Sequence, residues 1–475
     1  MRVLGLILLI PLLFLGCATD SHTRKARIML PYIHGDIGSA RAAASRMRSG
    51  GKAQDKVIDA LEEGYLDFLM GDFQSARDAF VYAEQTDADA YERAMISATN
   101  VSRDILSNFT NLTKLEYRAK CSDLIMLHIF KALSYLGMGN VNAYNTEMFP
   151  LHQTMQNIEQ RYNDIFLKES EAVKNRMQSS GIGAQVNRMM GATPDINMLA
   201  PNTAVRNFLN PLALLMAGIA RAEANDWENA KVDFNKLYMA MPTALLAGQF
   251  KRDVLRREGQ EIPPELASLP DLKFNPSGGN VLVVFANGRG PALVQQAINH
   301  PLLHAAIPVP RRYFQFRAPA LKCSCDNMFF STEVMADMDE IALWEYRLGY
   351  REMITRTIIS TAIKEVGSYA ATHAAYHAVR KNSRYRQDAE LAAILTFLAT
   401  DIYRQAQNIA DTRSWETLPA QFEAALLPMP KERKVYLSVD NIAWAEAAIP
   451  QDANSAIIFV HAMQNGRLTH IVFPK

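Results

Sequence analysis

Two histidine pairs carry a spacing that metal chemistry uses. His300 and His304 stand four positions apart, as do His373 and His377. On a helix that interval puts both imidazoles on one face, where they can share a zinc ion. Neither pair encloses the glutamate of a His-Glu-x-x-His site, since Pro301-Leu302-Leu303 fills the first and Ala374-Ala375-Tyr376 the second. Pro301 also works against a regular helix at the first pair. The second pair falls in a firmly helical pattern, with Glu365 and Asp388 as remote acidic candidates. A metal-dependent hydrolase using His373 and His377 is therefore the enzymatic reading, and a solvated histidine pair the plainer one. Cys323-Ser324-Cys325 is the other reactive cluster. Residues two apart in a strand share a face, at a separation near the upper limit for a disulfide. The usual Cys-x-x-Cys redox spacing is absent. No Gly-x-Ser-x-Gly, Walker loop or dinucleotide fingerprint occurs, and Gly288-Arg289-Gly290 running into Pro291 suits a hairpin or loop better than a phosphate cradle. The expectation is a chain without catalytic residues or cofactor.

The N-terminus points to a compartment. Arg2 precedes an apolar run from Val3 to Leu15, followed by Gly16-Cys17. The run is shorter than the roughly 20 apolar residues of a spanning helix and reads as a secretory signal over residues 1–16. A cysteine after a small residue at this place resembles the bacterial lipobox, with Phe14 where that motif prefers Leu. The resemblance implies cleavage before Cys17, a diacylglyceryl thioether on its sulfur and an acylated amino terminus, palmitate being a typical acyl group. Each buried methylene contributes roughly 0.8 kcal/mol to such an anchor. Ala18, not an aspartate, follows Cys17, which by the same resemblance implies the periplasmic face of the outer membrane. Asp20–Lys25 is polar and suits a flexible tether, within a lipidated tether and linker over residues 17–50. In an oxidising periplasm, Cys121, Cys323 and Cys325 need a fate. A strained bridge between the last two, a link from Cys121 to one of them, and three free thiols all fit.

Size and charge exclude other classes. The 475 residues suffice for two or three domains, and 50 basic against 49 acidic residues leave no footprint for nucleic acid. The Asn-x-Ser/Thr triplets at Asn100, Asn108 and Asn111 are chance in a bacterial lipoprotein.

The elements behind these residues begin with helices. Residues 51–260 show 3.6-residue periodicity, and two segments share a template about 32 residues long. Gly64, Ala76, Phe80 and Ala83 surround a turn at Gly71-Asp72-Phe73; Gly218, Ala230, Phe234 and Pro242 surround one at Asn225-Asp226-Trp227. These positions resemble the tetratricopeptide repeat, which implies antiparallel helix pairs meeting at the small residues. Asp67 and Arg221 stand where that repeat usually has tyrosine. A degenerate third copy begins near Ile125, with Ala132, Tyr135, a Gly139-Asn140 turn and Tyr144 where a small residue belongs. Gly181–Pro211, with Met189-Met190, reads as a loop or insertion.

Pro263, Pro264, Pro270 and Pro276 mark a linker over 261–279, before a mixed domain over 280–475. Strands are expected at Val281–Phe285, Arg312–Arg317, Lys434–Val439, Ala456–His461 and Leu468–Phe473, with Asn465-Gly466 turning the last two into a hairpin. Among them two long helices, Asp339 to Val379 and Asp388 to Ile409, form an inserted hairpin. The fold class is α+β, mainly α: a tetratricopeptide-like array followed by a small β-sandwich or sheet.

Asp411-Thr412-Arg413-Ser414-Trp415, before Leu418-Pro419, is the sharpest local motif. It resembles a bacterial outer-membrane lipoprotein family, largely uncharacterised, whose members pair a tetratricopeptide-like region with a strand-containing domain. Association with lipoproteins that resemble activators of peptidoglycan synthases is what the resemblance implies. The residues themselves read structurally: Asp411 accepts from following amides or pairs with Arg413, and Trp415 anchors the turn in a core. Trp227, Arg413 and Trp415 are also the candidates for binding a partner, because Trp and Arg are common interface anchors. The functional expectation is a non-enzymatic scaffold, anchored to outer-membrane lipid through Cys17, that docks a periplasmic or envelope protein during envelope assembly. A structural subunit of a trans-envelope assembly is the third reading.

Overall fold

A computed structural model describes residues 21–99, 115–180, 209–300, 303–350, 409–440, 443–462 and 467–475, with a few helical positions between 353 and 396. Cys17, the three Asn-x-Ser/Thr asparagines, Met189-Met190, Asn465-Gly466, Glu365 and Asp388 lie outside the described residues, as does most of the expected helical hairpin. The fold is α+β with more helix than strand, 54% against 22%.

One turn is used repeatedly to fold the helices into pairs. Helices α1 (Ser21–Ile33) and α2 (Ile37–Gly50) flank Gly35, and α3 (Lys56–Leu69) and α4 (Phe73–Thr99) flank Gly71. Likewise α5 (Cys121–Gly137) and α6 (Val141–Met148) flank Gly139, and α8 (Pro211–Glu223) and α9 (Trp227–Ala240) flank Asn225, all at positive φ. After each of these residues the next amide reaches back to a carbonyl five positions earlier, as in Asp36 to Pro31, Asp72 to Asp67, Asn140 to Tyr135 and Asp226 to Arg221. That is a Schellman ending. The same Asp or Asn then caps the following helix by accepting from the amide three residues on, such as Ser39, Ser75, Ala143 or Asn229. The expected copies are therefore built alike, and α1–α2 adds a pair where a flexible tether was expected. Lys25 corrects that expectation most directly: its ammonium is bonded to the Thr412 carbonyl and to Glu416 at 2.5 Å.

Within a pair the small residues do what the repeat template implies. A β-carbon on Gly64 would lie 2.9 Å from the Phe80 ring, and one on Gly218 only 2.5 Å from Phe234. Two residues that depart from the template have their own partners. Asp67 takes Arg41 of α2 at 2.6 Å, and Arg221 lies 3.2 Å from buried Asp233.

In three of the four pairs the first helix is covered on nearly every side, whereas α1 leaves residues such as Leu30 exposed. Val57 to Phe68 of α3 are all buried, as are nearly all of α5 and α8. The second helices are amphipathic: α9 buries Ala230, Asp233, Phe234 and Leu237. The cover is a sheet contributed by the far end of the chain. Strands β1 (Asn280–Asn287), β6 (Glu333–Asp337), β7 (Gln421–Pro428), β10 (Ala456–Ala462) and β11 (Leu468–Pro474) form it in the order β11-β10-β1-β7-β6. β1 is parallel to β10 and antiparallel to β7. On one face Leu282, Val284 and Ala286 join Phe422, Phe459 and Phe473 in a single core with the helices. Phe68 meets Phe459 at 5.2 Å between ring centroids, and Phe130 meets Phe422 at 6.0 Å.

On the opposite face Val281, Val283 and Phe285 pack into a second core. Burial on both sides explains why β1 is a continuous apolar run instead of an alternating one. The second layer is a sheet of β5 (Met328–Ser331), β4 (Lys322–Cys325), β8 (Lys434–Val439) and β9 (Ala443–Ala448), in that order. A separate two-stranded ribbon joins β2 (Arg289–His300) to β3 (Leu303–Tyr313). The expected strand at Arg312–Arg317 is corrected: β3 ends at Tyr313 and Phe314–Phe316 is a 3-10 turn. Residues 261–279 hold a short helix, α11 (Pro264–Ala267), and the buried Arg252 of α10 (Leu245–Arg257) donates to the Leu269 and Pro270 carbonyls.

Candidate functional site

The Asp411–Thr417 segment lies where helices, sheet and ribbon meet, and its geometry is built around one guanidinium. Arg413 Nε and Nη2 donate to the two oxygens of Asp411 at 2.8 and 2.6 Å. Its Nη1 lies 3.1 Å from Asp55 Oδ1, 3.1 Å from the Gln54 carbonyl and 3.0 Å from the Leu115 carbonyl. The Arg413 amide also donates to Asp411, closing an Asx turn. A planar fork with a fixed charge suits such a multi-point bond. The carboxylates beside it hold the Arg413 pKa above its ordinary value, against the opposing effect of burial.

Trp415 follows, 3% exposed. Its Nε1 donates to Thr417 Oγ1 at 3.1 Å, and its ring stands edge-on to Tyr65 at 6.2 Å. Glu62 of α3 accepts from the Glu416 amide at 2.8 Å and from the Thr417 hydroxyl at 2.5 Å. Burial pushes the Glu62 carboxyl up to about 7. Glu416 in turn pairs with Lys25 and, at 3.4 Å, with Arg289. Burial lowers the Lys25 pKa against the pull of Glu416. The Tyr32 hydroxyl lies 2.8 Å from the Thr417 carbonyl and 3.0 Å from His461 Nε2. The His461 imidazole is itself buried beside this hydroxyl. Burial pushes its pKa down to about 4.

This node answers buried charge with buried charge and ties α1, α3, β2 and β10 to one loop. The structural reading of the motif holds: Asp411 does pair with Arg413 and accept from a following amide, and Trp415 does sit in the core. The partner-binding reading of Arg413 and Trp415 is corrected, because neither side chain is presented to an outside molecule. Trp227 is half-buried, with the Arg257 guanidinium 4.4 Å over its ring.

The histidine pairs separate. His300 and His304 fall on opposite strands of the β2–β3 ribbon, where His300 faces Leu303 and His304 faces Asn299. They share no helix face. His373 and His377 are helical and exposed, with ring centroids 4.7 Å apart. Among the described residues no group of three or more His, Cys, Asp or Glu converges on a metal position. The three described cysteines are free thiols and buried. Cys323 and Cys325 share a face in the sandwich core, and Cys121 belongs to the helical one. Burial pushes the Cys323 thiol up to about 12, which leaves it a small hydrophobe.

Two features had little or no signal in the sequence. Buried carboxyls recur at helix junctions: Glu345 accepts from the Ser122 amide and hydroxyl at the start of α5, and Asp233 sits between Arg221 and His152. Burial pushes both up to about 7. The second feature is a set of exposed aromatics on the outer sheet, Phe329, Tyr436 and Trp444. Alternation along Lys434–Val439, polar or aromatic at even positions and aliphatic at odd ones, was the signal for Tyr436 alone. No family model matches this chain, and no curated protein or solved structure shows significant similarity to it.

Proposed function

We propose that the chain is a lipid-anchored envelope scaffold, held at the periplasmic face of the outer membrane through acylated Cys17 and serving envelope assembly, with peptidoglycan synthesis as the direction. The observation that carries this reading is the start of α1 at Ser21, four positions after Cys17. Four extended residues reach on the order of 14 Å at most. Lys25, one helical turn further on, is bonded into the Asp411–Thr417 node. A lipid on Cys17 therefore acts on a body braced close to the bilayer, not one trailing on a leash. No helix among the described residues is long and apolar enough to cross a membrane. The scaffold role draws on the repeated helix pairs. Helices α3, α5 and α8 lie under the sheet, which leaves the outward faces of α4, α6 and α9 to meet a protein partner.

The test is the mature N-terminus. Mass spectrometry of the full chain from envelopes should return a peptide beginning at Cys17 with diacylglyceryl and acyl groups, and Cys17→Ser should leave the membrane fraction. A retained leader or an unmodified thiol contradicts the proposal. The exposed His373/His377 pair supports the second reading, a metal-dependent envelope hydrolase. It requires stoichiometric zinc that is lost in His377→Ala, and metal-free folded protein removes it.

A further inference from the structure

The outer face of the β5-β4-β8-β9 sheet breaks its own pattern. Odd-numbered positions of β4 and β8 enter the sandwich core as Cys323, Cys325, Val435, Leu437 and Val439. Even-numbered positions point away from it, and cross-strand register sorts the outward residues into rows. One row reads Phe329, Ser324, Tyr436, Glu446, and the next reads Ser331, Lys322, Ser438, Trp444. Five of these eight residues, together with Lys434, would suit any solvated or lightly covered sheet. The aromatics would not: Phe329 is 84% exposed, Trp444 77% and Tyr436 43%.

Spacing and charge restrict what covers them. Phe329 and Tyr436 are separated by one intervening strand, about 10 Å at ordinary strand spacing. Tyr436 and Trp444 are diagonal neighbours about 8 Å apart. The rings are thus spread along a plane with serine hydroxyls between them, unlike the contiguous apolar centre of a protein interface. The face's lysines are already answered, Lys434 by Glu446 at 2.6 Å and Lys322 by Asp440 at 3.6 Å. Nucleic acid and anionic lipid both need unpaired basic charge. An uncharged ligand with a flat C–H face and a hydroxyl rim matches, because the negative face of an aromatic ring attracts C–H and serines serve the rim.

We infer that this face binds a glycan strand, with Phe329, Tyr436 and Trp444 as stacking platforms. The site stands apart from the anchor and from the Asp411–Thr417 node.

Trp444 gives the test its reporter as the most exposed of the four tryptophans: Trp415 is buried, Trp227 is covered by Arg257, and Trp344 is half-buried against the helical core. Full-length protein is titrated with the hexamer of β-1,4-linked N-acetylglucosamine and with cellohexaose, following tryptophan fluorescence and heat. Saturable binding of either hexamer is expected, weakened about tenfold or more in Trp444→Ala. It should be lost in Phe329→Ala combined with Trp444→Ala, and weakened in Tyr436→Ser, with circular dichroism unchanged throughout. Failure of both hexamers to bind, or equal binding by the variants, overturns the inference. So does finding that the substitutions instead abolish binding to phosphatidylglycerol vesicles or reduce the sedimenting mass.

Discussion

Trp415 and Trp444 belong to the same residue type and meet opposite fates. Trp415 is 3% exposed and closes a loop against Tyr65, Phe80 and Phe130; Trp444 is 77% exposed on an open sheet. The sharper sequence motif surrounds the buried one. Motif sharpness reports how many groups must be satisfied at once, and Arg413 with five polar contacts to its surroundings needs Asp411 and Asp55 in fixed places. The exposed tryptophan needs only a strand whose other face is buried. A loop rich in Trp and Arg is therefore as much the mark of an internal joint as of a docking surface.

That contrast makes predictions of graded size. Truncating Trp415 to Ala should cost about 3–5 kcal/mol in urea unfolding, since it removes a fully packed indole from the shared core. Arg413→Met belongs in the same range, about 3–5 kcal/mol, because buried Asp55 and half-buried Asp411 both lose the guanidinium that answers their charge. Adding Asp55→Asn to Arg413→Met should recover part of the loss, and strict additivity would break the joint. Gly218→Ala should cost about 1–3 kcal/mol by pushing against Phe234, with Phe234→Leu relieving it.

A smaller effect concerns pH. Glu62, Glu345 and Asp233 have folded values of about 7, above those of the unfolded chain. The folded state then holds more protons between about 4 and 7, so these groups make stability fall as pH rises through that window. His461, at about 4 when folded, opposes them between about 4 and 6.5. Above that range the His461 contribution ends, and Glu62→Gln should flatten the decline in melting temperature approaching pH 7. The smallest expectation is Trp444→Ala, which should stay within about 0.5 kcal/mol of the parent.

How much of this was legible in the residues varies by element. β1, β8, β10 and β11 announced themselves through Val, Ile and Phe runs, and the helix turns through Gly or Asn next to Asp or Asn. The β2–β3 ribbon did not, because Pro291, Pro308 and Pro310 interrupt it. A two-stranded ribbon is all edge, where proline is tolerated, and its register shifts between Arg289 and Ala292. β7 and β9 were not anticipated, because their alanines and the glutamates Glu423 and Glu446 are residue types that strands disfavour. Glu423 is paid for in the fold by Asn287 and Thr332, at 2.7 and 2.5 Å. Residues 21–50 read as tether because their polar residues find partners only across the fold: Lys25 on Glu416, Arg41 on Asp67 and Arg48 on Glu63. In the candidate site, the Asp411–Arg413 pair was readable from adjacency. Which of its side chains face inward was not, since that depends on Asp55, Glu62 and His461, each far away in the chain.

The central claim is that the chain's own C-terminal sheet covers the inner helices of the array and forms one core with them. Amide hydrogen exchange on the full-length protein tests it most directly. Amides of α3, α5 and α8 should exchange as slowly as those of β1 and β10 and lose protection together with them when Trp415 is truncated. Inner helices that exchange independently of the sheet, with β1 and β10 still protected, would contradict it.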